Sequence, residues 1–542
     1  MRFLPASDCA LLLELDDLTQ TMAVYRHVAA QQLPGIEDLV PAARTLLVHF
    51  NPYVTHAQQL IESLRALALQ AVQMEQGKEG TPGRLVEIPV HYNGEDLPDV
   101  AELLGISVAE VIARHTAQPY DAAFAGFAPG FVYLSGGANF QVPRRQSPRT
   151  KVPAGSVALG GNFSAVYPSA SPGGWQLLGV TDVAMWDLQR AEPAYIQPGF
   201  RVQFVDAARQ TVQVSVSAAQ SLESKQPLTQ VQQAQAAIEI VAPGLQTLVQ
   251  DGGRHGLSGL GISASGALDL AAMHAANRLV GNPIDAPVLE NLLGQLHLRS
   301  HGACTVAVTG ACTDLAVRSA SGAQWQLPAN GPVALNDGDS VQLLAPSAGV
   351  RSYIAVRGGW QVQPVLGSCS TDTLALVGPA ALQAEQRIAV GQAVAAAHLR
   401  AVELQGYAAQ QLPRAGEEVV LDITLGPRTD WFTQAGLQAF TSQTWLVTPQ
   451  SNRVGIRLQG AQPLERARHD ELPSEGTVAG AIQVPINGQP VLFLADHPLT
   501  GGYPVIAAIT RYHLPLAAQI PVGCRIRFNV VAPFSELSGV PA

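Results

Sequence analysis

The sequence predicts a mainly β protein, with several barrel or sandwich domains preceded by a small α/β domain. Glycine and proline are frequent, with 50 and 38 residues, so the chain turns often, as it does in β-barrels and sandwiches. Hydrophobic residues make up 47% of the chain and charged residues 14%, which provides enough apolar material for large cores. The 542 residues suit about three or four domains at the usual ~150 residues each.

Composition and charge exclude several classes of protein. The net charge of -10 argues against a nucleic-acid binder, whose affinity depends on cations that neutralise phosphates. The cysteines are scattered and form no CxxC pair, so neither a disulfide framework nor a zinc ribbon is predicted. The N-terminus lacks a basic region followed by a cleavage site, and no apolar run reaches the ~18 residues of a transmembrane helix. We therefore expect a soluble cytoplasmic protein.

Residues 1–84 are predicted to form the small α/β domain. Ala10–Leu15 and Thr45–Phe50 are apolar runs of strand length, and His56–Gln76 carries apolar residues at a spacing close to that of a helix. These segments fit two strands and two or three helices. Gly77–Gly83 is expected to be a linker to the next domain.

Residues 85–207 are predicted to form a β domain that runs from a strand at Leu85–His91 to a strand at Gly199–Phe204. Its first strand is followed by a helix at Pro98–Leu104.

A second helix of this domain starts at Ser107 and ends at His115. Ser107 and Glu110 have the spacing of a capping box, in which each side chain accepts a backbone N–H of the first turn. A histidine at a helix C-terminus more often interacts with the helix dipole than with a substrate. We nevertheless keep His115 as a candidate catalytic residue.

Gly126–Thr181 alternates tight turns with short strands and carries a basic cluster, Arg144, Arg145, Arg149 and Lys151. Cations among glycines suggest a concave site for an anionic group, made of backbone N–H donors and side chains. Ordinary β-turns with solvated arginines are the alternative. The chain has only two other lysines, both in expected linkers, which favours a phosphate contact for the lysine of this cluster.

Residues 208–237 are rich in glutamine, serine and alanine and are predicted to be a flexible linker. The second half then divides into residues 238–412 and 413–542. A glycine-rich loop precedes a helix predicted at Ala267–Val280, in which Asp269 suits the first turn. The loop matches neither a Walker A motif nor a Rossmann fingerprint.

A weak internal repeat links the two halves. Gly199–Phe204, Gly338–Leu343 and Gly523–Phe528 each combine a turn with an alternating strand. Generic β-strands could share this pattern by chance. If the segments are related, they mark three β-barrel units, one before the linker and two after it.

No nucleophile or metal motif is visible, since GxSxG, HExxH and the amidase-type Ser-Ser-Lys signature are missing. Phosphoryl or carboxyl transfer would fit, because both depend mainly on positioning and electrostatic stabilisation.

Asp251 and Arg254 form either a salt bridge that fixes their loop or a substrate contact. Several polar residues beside glycines are either turn formers or a ligand-facing set: Ser474, Glu475, Gln483, Asp496, Thr500 and Tyr503.

Motifs in both halves resemble known families. The first half resembles the allophanate hydrolase subunit 1 family, which includes KipI-like proteins, in Gly126–Leu134 (GFAPGFVYL), Pro148–Val157 (PRTKVPAGSV) and Ser171–Gly179 (SPGGWQLLG). The second half resembles the subunit 2, KipA-like family. Its motifs are Gln250–Gly266 (QDGGRHGLSGLGISASG), Ala276–Pro283 (ANRLVGNP), Leu366–Thr371 (LGSCST), Ser451–Leu458 (SNRVGIRL), Ser474–Gly476, Ala481–Pro485 (AIQVP) and Gly501–Pro504 (GGYP).

The resemblance implies cyclophilin-like β-barrels, one in the first half after the α/β domain and two in the second half. It also implies fused B and C components of a prokaryotic 5-oxoprolinase, which opens 5-oxoproline to L-glutamate at the expense of ATP with Mg²⁺. A separate A component of the LamB/YcsF type would be the partner, and a homo-oligomer is compatible with this organisation. Biotin is not expected on this chain, nor is a nucleic acid or membrane partner.

On this interpretation the candidate catalytic residues are Lys151, Arg149 and His115, and no metal ligand is predicted. In the first half, the residues expected to bind ATP or the lactam are Gly126, Phe127, Pro129, Gly130, Arg144, Arg145, Ser156, Gly173 and Gly174. In the second half they are Gln250, Asp251, Arg254, Ser265, Asp269, Asn277, Ser451, Asn452, Arg453, Ser474, Glu475, Gln483, Asp496, Gly501, Gly502 and Tyr503.

Two other functions stay open. The same two modules form the carboxyltransferase part of urea carboxylase, although this chain has no biotinylation motif of the Met-Lys type and no biotin carboxylase region. Partners would then have to supply both. KipI-like members inhibit a sensor kinase through their barrel, a role that requires a partner surface and no ATP turnover.

Overall fold

The structure is a computed structural model that describes residues 1–75, 83–138, 140–145, 147, 149–209, 236–394 and 412–538. Of the linker predicted at Gly77–Gly83, all but Gly83 lies outside the described residues. Of the linker predicted at 208–237, all but its two ends lies outside them.

The N-terminal region forms a four-stranded antiparallel sheet with two helices. Its elements are β1 Arg2–Ser7, β2 Ala10–Glu14, α1 Leu18–Gln31, β3 Ile36–Pro41, β4 Thr45–Phe50 and α2 Ala57–Glu75. The order across the sheet is β1-β2-β4-β3, so the two strands predicted from the sequence are its central pair. The prediction misses the edge strands β1 and β3, in which Pro5 and Pro41 interrupt the apolar pattern. Proline is tolerated at an edge because one side of the backbone needs no partner.

The next region forms a seven-stranded sheet in the order β12-β9-β10-β7-β6-β13-β5, with a small β8–β11 ribbon. Its elements are β5 Leu85–Val90, α3 Leu97–Leu104, α4 Val108–His115, β6 Tyr120–Ala125, β7 Val132–Gly136, β8 Arg149–Val152, β9 Ser156–Gly160, β10 Phe163–Val166, β11 Ser171–Gly173, β12 Gln176–Val180 and β13 Arg201–Asp206. A bridge between His91 and Val180 joins the two ends of the sheet. We call this unit the first barrel.

The capping box predicted at α4 is half confirmed. Ser107 Oγ accepts the backbone N–H of Glu110 at 3.2 Å, as predicted. The Glu110 carboxylate accepts instead from Arg114 Nε one turn later, at 2.7 Å.

The second half begins with two sheets that share one core, and we call this unit the middle domain. Its elements are β14 Ala237–Pro243, β15 Gln246–Gln250, α5 Leu270–Val280, β16 Val288–Leu292, β17 Leu296–His301, β18 Cys304–Gly310, β19 Asp314–Arg318, β20 Gln324–Pro328, β21 Pro332–Leu335, β22 Ser340–Leu343, β23 Arg351–Val356 and β24 Arg387–Ala389. The sheets follow the orders β20-β19-β22-β17-β14-β24 and β15-β16-β23-β18-β21.

The helix α5 begins later than the predicted Ala267–Val280. Asp269 is its N-cap and not part of its first turn, since Asp269 Oδ1 accepts the N–H of Ala272 at 3.0 Å.

The remainder closes into a barrel in the order β25-β32-β29-β30-β27-β26-β33, which we call the last barrel. Its elements are β25 Glu418–Leu425, α6 Gln434–Ser442, β26 Trp445–Val447, β27 Gly455–Gln459, β28 Glu475–Gly476, β29 Ala481–Gln483, β30 Val491–Phe493, β31 Thr500–Gly501, β32 Val505–Ile509, α7 Leu514–Ala517 and β33 Arg525–Ala532. The predicted fold class, mainly β with barrels after an α/β region, is confirmed.

Two of the three repeat segments have the same place in the topology. β13 pairs parallel with β5, the first strand of its barrel, and β33 pairs parallel with β25, the first strand of the last barrel. β22 instead pairs antiparallel with β17 and β19. The sequence repeat therefore marks the closing strands of two barrels.

The N-terminal sheet is buried on both faces. One face packs on α1 and α2, through strand residues such as Leu11 and Val48. The other face packs on the last barrel, where Leu12 and Leu47 share a core cluster with Phe493. Alternation of side chains along each strand supplies an apolar residue to both faces. Among the helices of the described ranges, none is both long and apolar enough to cross a membrane.

Candidate functional site at the junction of the halves

Asp96, the residue before α3, binds two of the cations in the basic cluster. Its Oδ1 accepts from Arg145 at 2.5 Å and from Arg149 at 2.8 Å, and its Oδ2 accepts from Arg149 at 2.9 Å and from the Leu177 N–H at 2.7 Å. Burial would raise the pKa of Asp96, but Arg149 and the other donors hold it below its usual value. Arg145 and Arg149 are counter-ions of a buried carboxylate, so the expectation that they hold phosphate is not supported.

The other two cations of the cluster have different surroundings. Lys151 is exposed on β8 and makes no hydrogen bond or ion pair within the described ranges. Arg144 contacts the last barrel, where its Nη2 donates to Ser474 Oγ at 3.1 Å and its Nε lies 2.8 Å from the Glu471 carboxylate. The four cations therefore do not form the single anion site expected from the sequence.

His115 lies in the core of the first barrel. Its side chain is 0% exposed, and its ring nitrogens lie 2.7 Å from the Tyr92 hydroxyl and 3.0 Å from Ser164 Oγ. Its ring stacks on Phe204, with the centroids 4.4 Å apart. Burial lowers the pKa of His115 to about 3, so the ring is neutral near pH 7. Both ring nitrogens are engaged by neighbouring hydroxyls in the core, so the structure gives no support to the expectation that His115 is catalytic.

Polar residues of both halves meet where the first barrel contacts the last barrel. The Tyr133 hydroxyl lies 3.3 Å from Thr500 Oγ1 and accepts from Ser474 Oγ at 3.2 Å, and Ser474 accepts in turn from Arg144. Gly126 lies against Thr500, since a Cβ atom on it would be 2.4 Å from the threonine hydroxyl oxygen. We call this set the junction.

The loop between β6 and β7 extends the junction to the middle domain. It contains Phe127, Pro129 and Gly130, and the Gly130 N–H donates to the Leu260 carbonyl at 3.2 Å. Phe127 has a φ of 67°, a left-handed conformation that costs energy for a residue with a side chain. The GFAPGF motif is thus held between the first barrel and the second half.

The segment after β31 lies at the same junction. A Cβ atom on Gly502 would be 2.2 Å from Arg144 Nη1, and one on Gly501 would be 2.5 Å from Gln483 Nε2. Gln483 Nε2 donates to the Tyr503 carbonyl at 3.2 Å. The structure therefore brings Gly502 of the second half next to Arg144 of the first, with Gln483 beside it in contact with both Gly501 and Tyr503.

Glu475 belongs to an ion-pair network and not to an open pocket. Arg428 Nε donates to both of its carboxylate oxygens, at 3.0 and 2.9 Å, and Arg428 also pairs with Glu14 at 2.9 Å. Burial raises the pKa of Glu475, and the attraction of Arg428 opposes this shift. The network ties the N-terminal sheet to the last barrel.

Asp496 and Arg453 of the last barrel form a buried ion pair that also contacts the middle domain. Arg453 donates to Asp496 at 3.0 and 2.9 Å, and also to Glu290. Asp496 accepts further from Ser265 Oγ and Thr373 Oγ1, both at 2.7 Å. Burial disfavours the charged form of Asp496, but Arg453 and the hydroxyls outweigh it and lower its pKa.

Asp251 fixes its loop through hydroxyls and backbone groups. Its carboxylate accepts from Ser368 Oγ, Ser370 Oγ and the Cys369 N–H, each at 2.6 Å, and from the Gly253 N–H at 2.9 Å. The salt bridge to Arg254 considered from the sequence is not among the ion pairs of the described residues.

Several other predicted residues support local structure. Asn452 Oδ1 accepts from the Val454 N–H at 2.9 Å, and Ser451 Oγ accepts from the Arg457 N–H at 3.0 Å. Asn277 Nδ2 donates to the carbonyls that follow α5, at 3.0 and 2.7 Å.

The rest of the predicted set is divided between the halves. Gln250 Nε2 donates to the Thr371 carbonyl at 2.9 Å, and Asp269 caps α5. Ser156 is buried at the start of β9, and Gly173 and Gly174 end β11 and follow it, beside the Asp96 cluster.

Sequence reasoning missed the partners of the residues it selected. Asp96, Tyr133 and Glu290 each contact a predicted residue, but Asp96 and Glu290 lie outside the quoted motifs and Tyr133 is not selected within its motif. Pairing arginines with the strand-flanking acids could have pointed to Asp96. Within the described ranges, no group of three acidic, histidine or cysteine side chains is placed to hold a metal ion.

Comparisons with known proteins cover both halves. Residues 260–530 match the family model of the carboxyltransferase domain, subdomain A and B, and residues 1–196 match that of subdomain C and D. The chain is 40% identical to the C subunit of 5-oxoprolinase from Escherichia coli over 295 residues, covering 54% of this chain and 90% of the relative. It is 35% identical to the B subunit of 5-oxoprolinase from Haemophilus influenzae over 221 residues, covering 38% of this chain and 97% of the relative.

A more distant relative is the urea amidolyase of Lachancea kluyveri, 31% identical over 54% of this chain but only 17% of the relative. The crystal structure of TTHA0988 superposes with a TM-score of 0.78 at 32% identity, covering 96% of this chain and 99% of that one. The chain therefore belongs to the carboxyltransferase-domain family, with a part similar to the 5-oxoprolinase B component fused ahead of a part similar to the C component.

Proposed function

We propose that this chain is a component of an ATP-dependent 5-oxoprolinase, which converts 5-oxo-L-proline to L-glutamate with a separate LamB/YcsF-type A component. The observation that carries the proposal is that one chain covers 90% of a C component and 97% of a B component of 5-oxoprolinase. Residues of both parts form hydrogen bonds with each other at the junction, which supports a function that requires both parts.

The chemistry explains why ATP would be needed. A five-membered lactam is a stable amide whose nitrogen is a poor leaving group. Transfer of the γ-phosphoryl group to the lactam carbonyl oxygen would release ADP and make the ring carbon electrophilic. Water would then add to that carbon and the C–N bond would break, giving the acyl phosphate of glutamate. A second water would hydrolyse this acyl phosphate to glutamate and phosphate. We propose that this chain performs the activation and that the A component completes the ring opening.

Lys151 is the cation of the basic cluster that we retain as a phosphate contact. It is exposed and makes no ion pair among the described residues, whereas Arg145 and Arg149 neutralise Asp96. Binding of a triphosphate by those two arginines would leave Asp96 buried without its counter-ions. We therefore omit them from the proposed ATP contacts.

The test combines the purified chain, a LamB/YcsF-type partner, Mg²⁺, ATP and 5-oxo-L-proline, with glutamate and ADP as readouts. We expect both products in equal amounts. Omission of ATP, 5-oxoproline or this chain should abolish both, whereas omission of the partner should abolish glutamate and leave 5-oxoproline-dependent ADP release, since this chain performs the activation. In the same assay Lys151→Ala should raise the KM for ATP about tenfold and leave the KM for 5-oxoproline unchanged. A lack of glutamate with a partner that is active beside another B and C pair would refute the proposal.

A carboxyltransferase of a biotin-dependent, urea carboxylase-like system is the second candidate. Both matched family models describe carboxyltransferase domains, and the second half resembles a urea amidolyase. Transfer of a carboxyl group from a carboxylated biotinyl carrier protein to urea, in the absence of ATP, would favour this candidate over ring opening.

A further inference from the structure

Arg254 is a buried cation with unused hydrogen-bond donors. It lies in the loop after β15 and is 3% exposed. Its backbone N–H donates to the Ala264 carbonyl at 2.8 Å, and its Nη2 donates to the Ser370 carbonyl. Its Nε and Nη1 are buried and have no partner among the described residues. A buried guanidinium with two unpaired donors is costly, and a ligand that accepts from these donors would remove the cost.

The neighbouring acids do not use these donors. The Asp251 carboxylate is occupied by the hydroxyl and backbone donors of its own loop. Asp372 accepts from the N–H groups of Leu374 and Ala375, at 2.9 and 2.8 Å, and from Ser263 Oγ at 3.2 Å. Burial lowers the pKa of Arg254, and the nearby carboxylates offset this only in part.

The loops around Arg254 are held in unusual conformations. Ser265, Leu366 and Leu376 have φ angles of 54°, 52° and 55°, which side-chain-bearing residues rarely adopt. Gly378 approaches so closely that a Cβ atom would lie 2.1 Å from the Ser370 carbonyl oxygen and 3.2 Å from Arg254 Nη2. Such strain concentrates at functional sites, where the surrounding structure maintains it.

A buried apolar cluster that contains one further unpaired donor borders the same loop. Val365 and Val377 pack with Ile262 and with Trp186 of the first barrel. Trp186 is 6% exposed, and its Nε1 is buried without a partner among the described residues. Val377 precedes Gly378, whose Cβ position would lie 3.2 Å from Arg254 Nη2, so this cluster adjoins the guanidinium. The region thus offers a cation, apolar contacts and an indole N–H supplied by the other half.

We propose that Arg254 and Trp186 bind a small cyclic monocarboxylate, with its carboxylate on Arg254, its ring on the valines and a ring carbonyl on the indole N–H. A monoanion suits a single guanidinium, whereas the surrounding Asp251, Asp372 and Asp496 would repel a phosphate dianion. Identification of the ligand as 5-oxoproline rests on the proposed function; the recognition of a monocarboxylate does not.

The first test uses the unaltered chain without partner or ATP. Isothermal titration calorimetry compares 5-oxo-L-proline with 2-pyrrolidinone, the same lactam without the carboxylate, and with inorganic phosphate. We expect 5-oxoproline to bind at least on the order of tenfold more tightly than either probe, since a charged hydrogen bond is lost or mismatched in both. Equal affinities, or no binding of 5-oxoproline, would mean that water alone occupies the donors and would overturn the proposal.

The second test uses Arg254→Gln and Trp186→Phe, with the exposed Arg457→Gln as the matched control. Arg254→Gln should weaken 5-oxoproline binding on the order of tenfold to a hundredfold, and the control should match the unaltered chain. Trp186→Phe removes one N–H and keeps the ring packing, so it tests the site even if the arginine variant fails to fold. Unchanged affinity in the folded variants would refute the site.

Ring opening distinguishes the two proposals. If the enzyme forms glutamate but Arg254→Gln leaves the KM for 5-oxoproline unchanged, the proposed function is supported and this binding site is refuted. If no glutamate forms although 5-oxoproline binding still requires its carboxylate and Arg254, the binding site is supported and the proposed function is refuted.

Discussion

Asp96 shows how one buried side chain changes the predicted role of a basic cluster. From the sequence, Arg145 and Arg149 are equivalent to Lys151, since all lie in the same glycine-rich stretch. In the fold, Asp96 is 2% exposed and forms charge-assisted hydrogen bonds with both arginines. The arginines are needed to keep this carboxylate ionised inside the protein, and of these three cations the lysine remains open to a ligand.

Asp96→Asn should therefore destabilise the first barrel. The change leaves two arginines without their carboxylate and should lower the free energy of unfolding by about 3 kcal/mol. Glu95→Gln is the matched control, because Glu95 contacts the same Arg149 from a side chain that is 79% exposed and should cost less than about 0.5 kcal/mol. Urea unfolding of both variants measures the difference. Equal losses would contradict the assignment of Asp96 as the counter-ion of the cluster.

The candidate residues of the second half illustrate which roles can be predicted. Motifs select Ser474 and Gly502, which the structure places beside Arg144, and Arg254, which it buries with two donors unpaired among the described residues. They cannot distinguish such residues from one like Asn452, which only closes a turn, because residues of both kinds lie in polar loops with glycine. The difference depends on what lies opposite in space. Thus the structure places Arg144 against Ser474, although 330 positions separate them in the chain.

Among the elements, the loop between β6 and β7 contacts both domains of the second half. It meets Thr500 through Gly126 and the middle domain through Gly130. Its composition follows from this position, since a side chain at residue 126 would occupy the space of the threonine. From the sequence, residues of this loop are expected to bind ATP or the lactam, and its contact with the second half is not predicted.

Gly126→Ala should loosen this contact. The added Cβ atom would lie 2.4 Å from Thr500 Oγ1, and overpacking of this kind costs about 1–3 kcal/mol. Thr500→Ala should restore part of the loss in the double variant, because it removes the hydroxyl and methyl group that clash. Gly259→Ala is the control, since a Cβ atom there would meet nothing within 4 Å. Thermal unfolding reports the order of stabilities; a tolerated Gly126→Ala would contradict the close contact.

Across the whole molecule, the N-terminal sheet joins the halves. Its outer face shares a core cluster with the last barrel, and Glu14 pairs with the buried Arg428 of that barrel. The carboxyl-terminal segment returns to the same sheet, where the Leu537 N–H donates to the Phe3 carbonyl at 2.8 Å. The halves are therefore held together by burial of apolar surface and not only by the covalent connection.

Separation of the chain within residues 210–235 should leave the two parts associated. Co-expressed fragments 1–209 and 236–542 should elute as one complex in size-exclusion chromatography and retain the activity of the intact chain. The first fragment alone should aggregate, because the sheet face that packs on the last barrel would be exposed to water. Independent elution of two monodisperse fragments would contradict this interface.

Local pattern in the sequence is enough to predict the fold class and to locate the loops that surround the junction. Both depend on the spacing of apolar residues and on the placement of glycine and proline. The roles of the polar residues follow instead from the tertiary structure, which makes Arg149 a counter-ion and leaves two donors of Arg254 buried without a partner among the described residues. Burial and charge pairing depend on neighbours that are distant in the chain, and no local pattern specifies those neighbours.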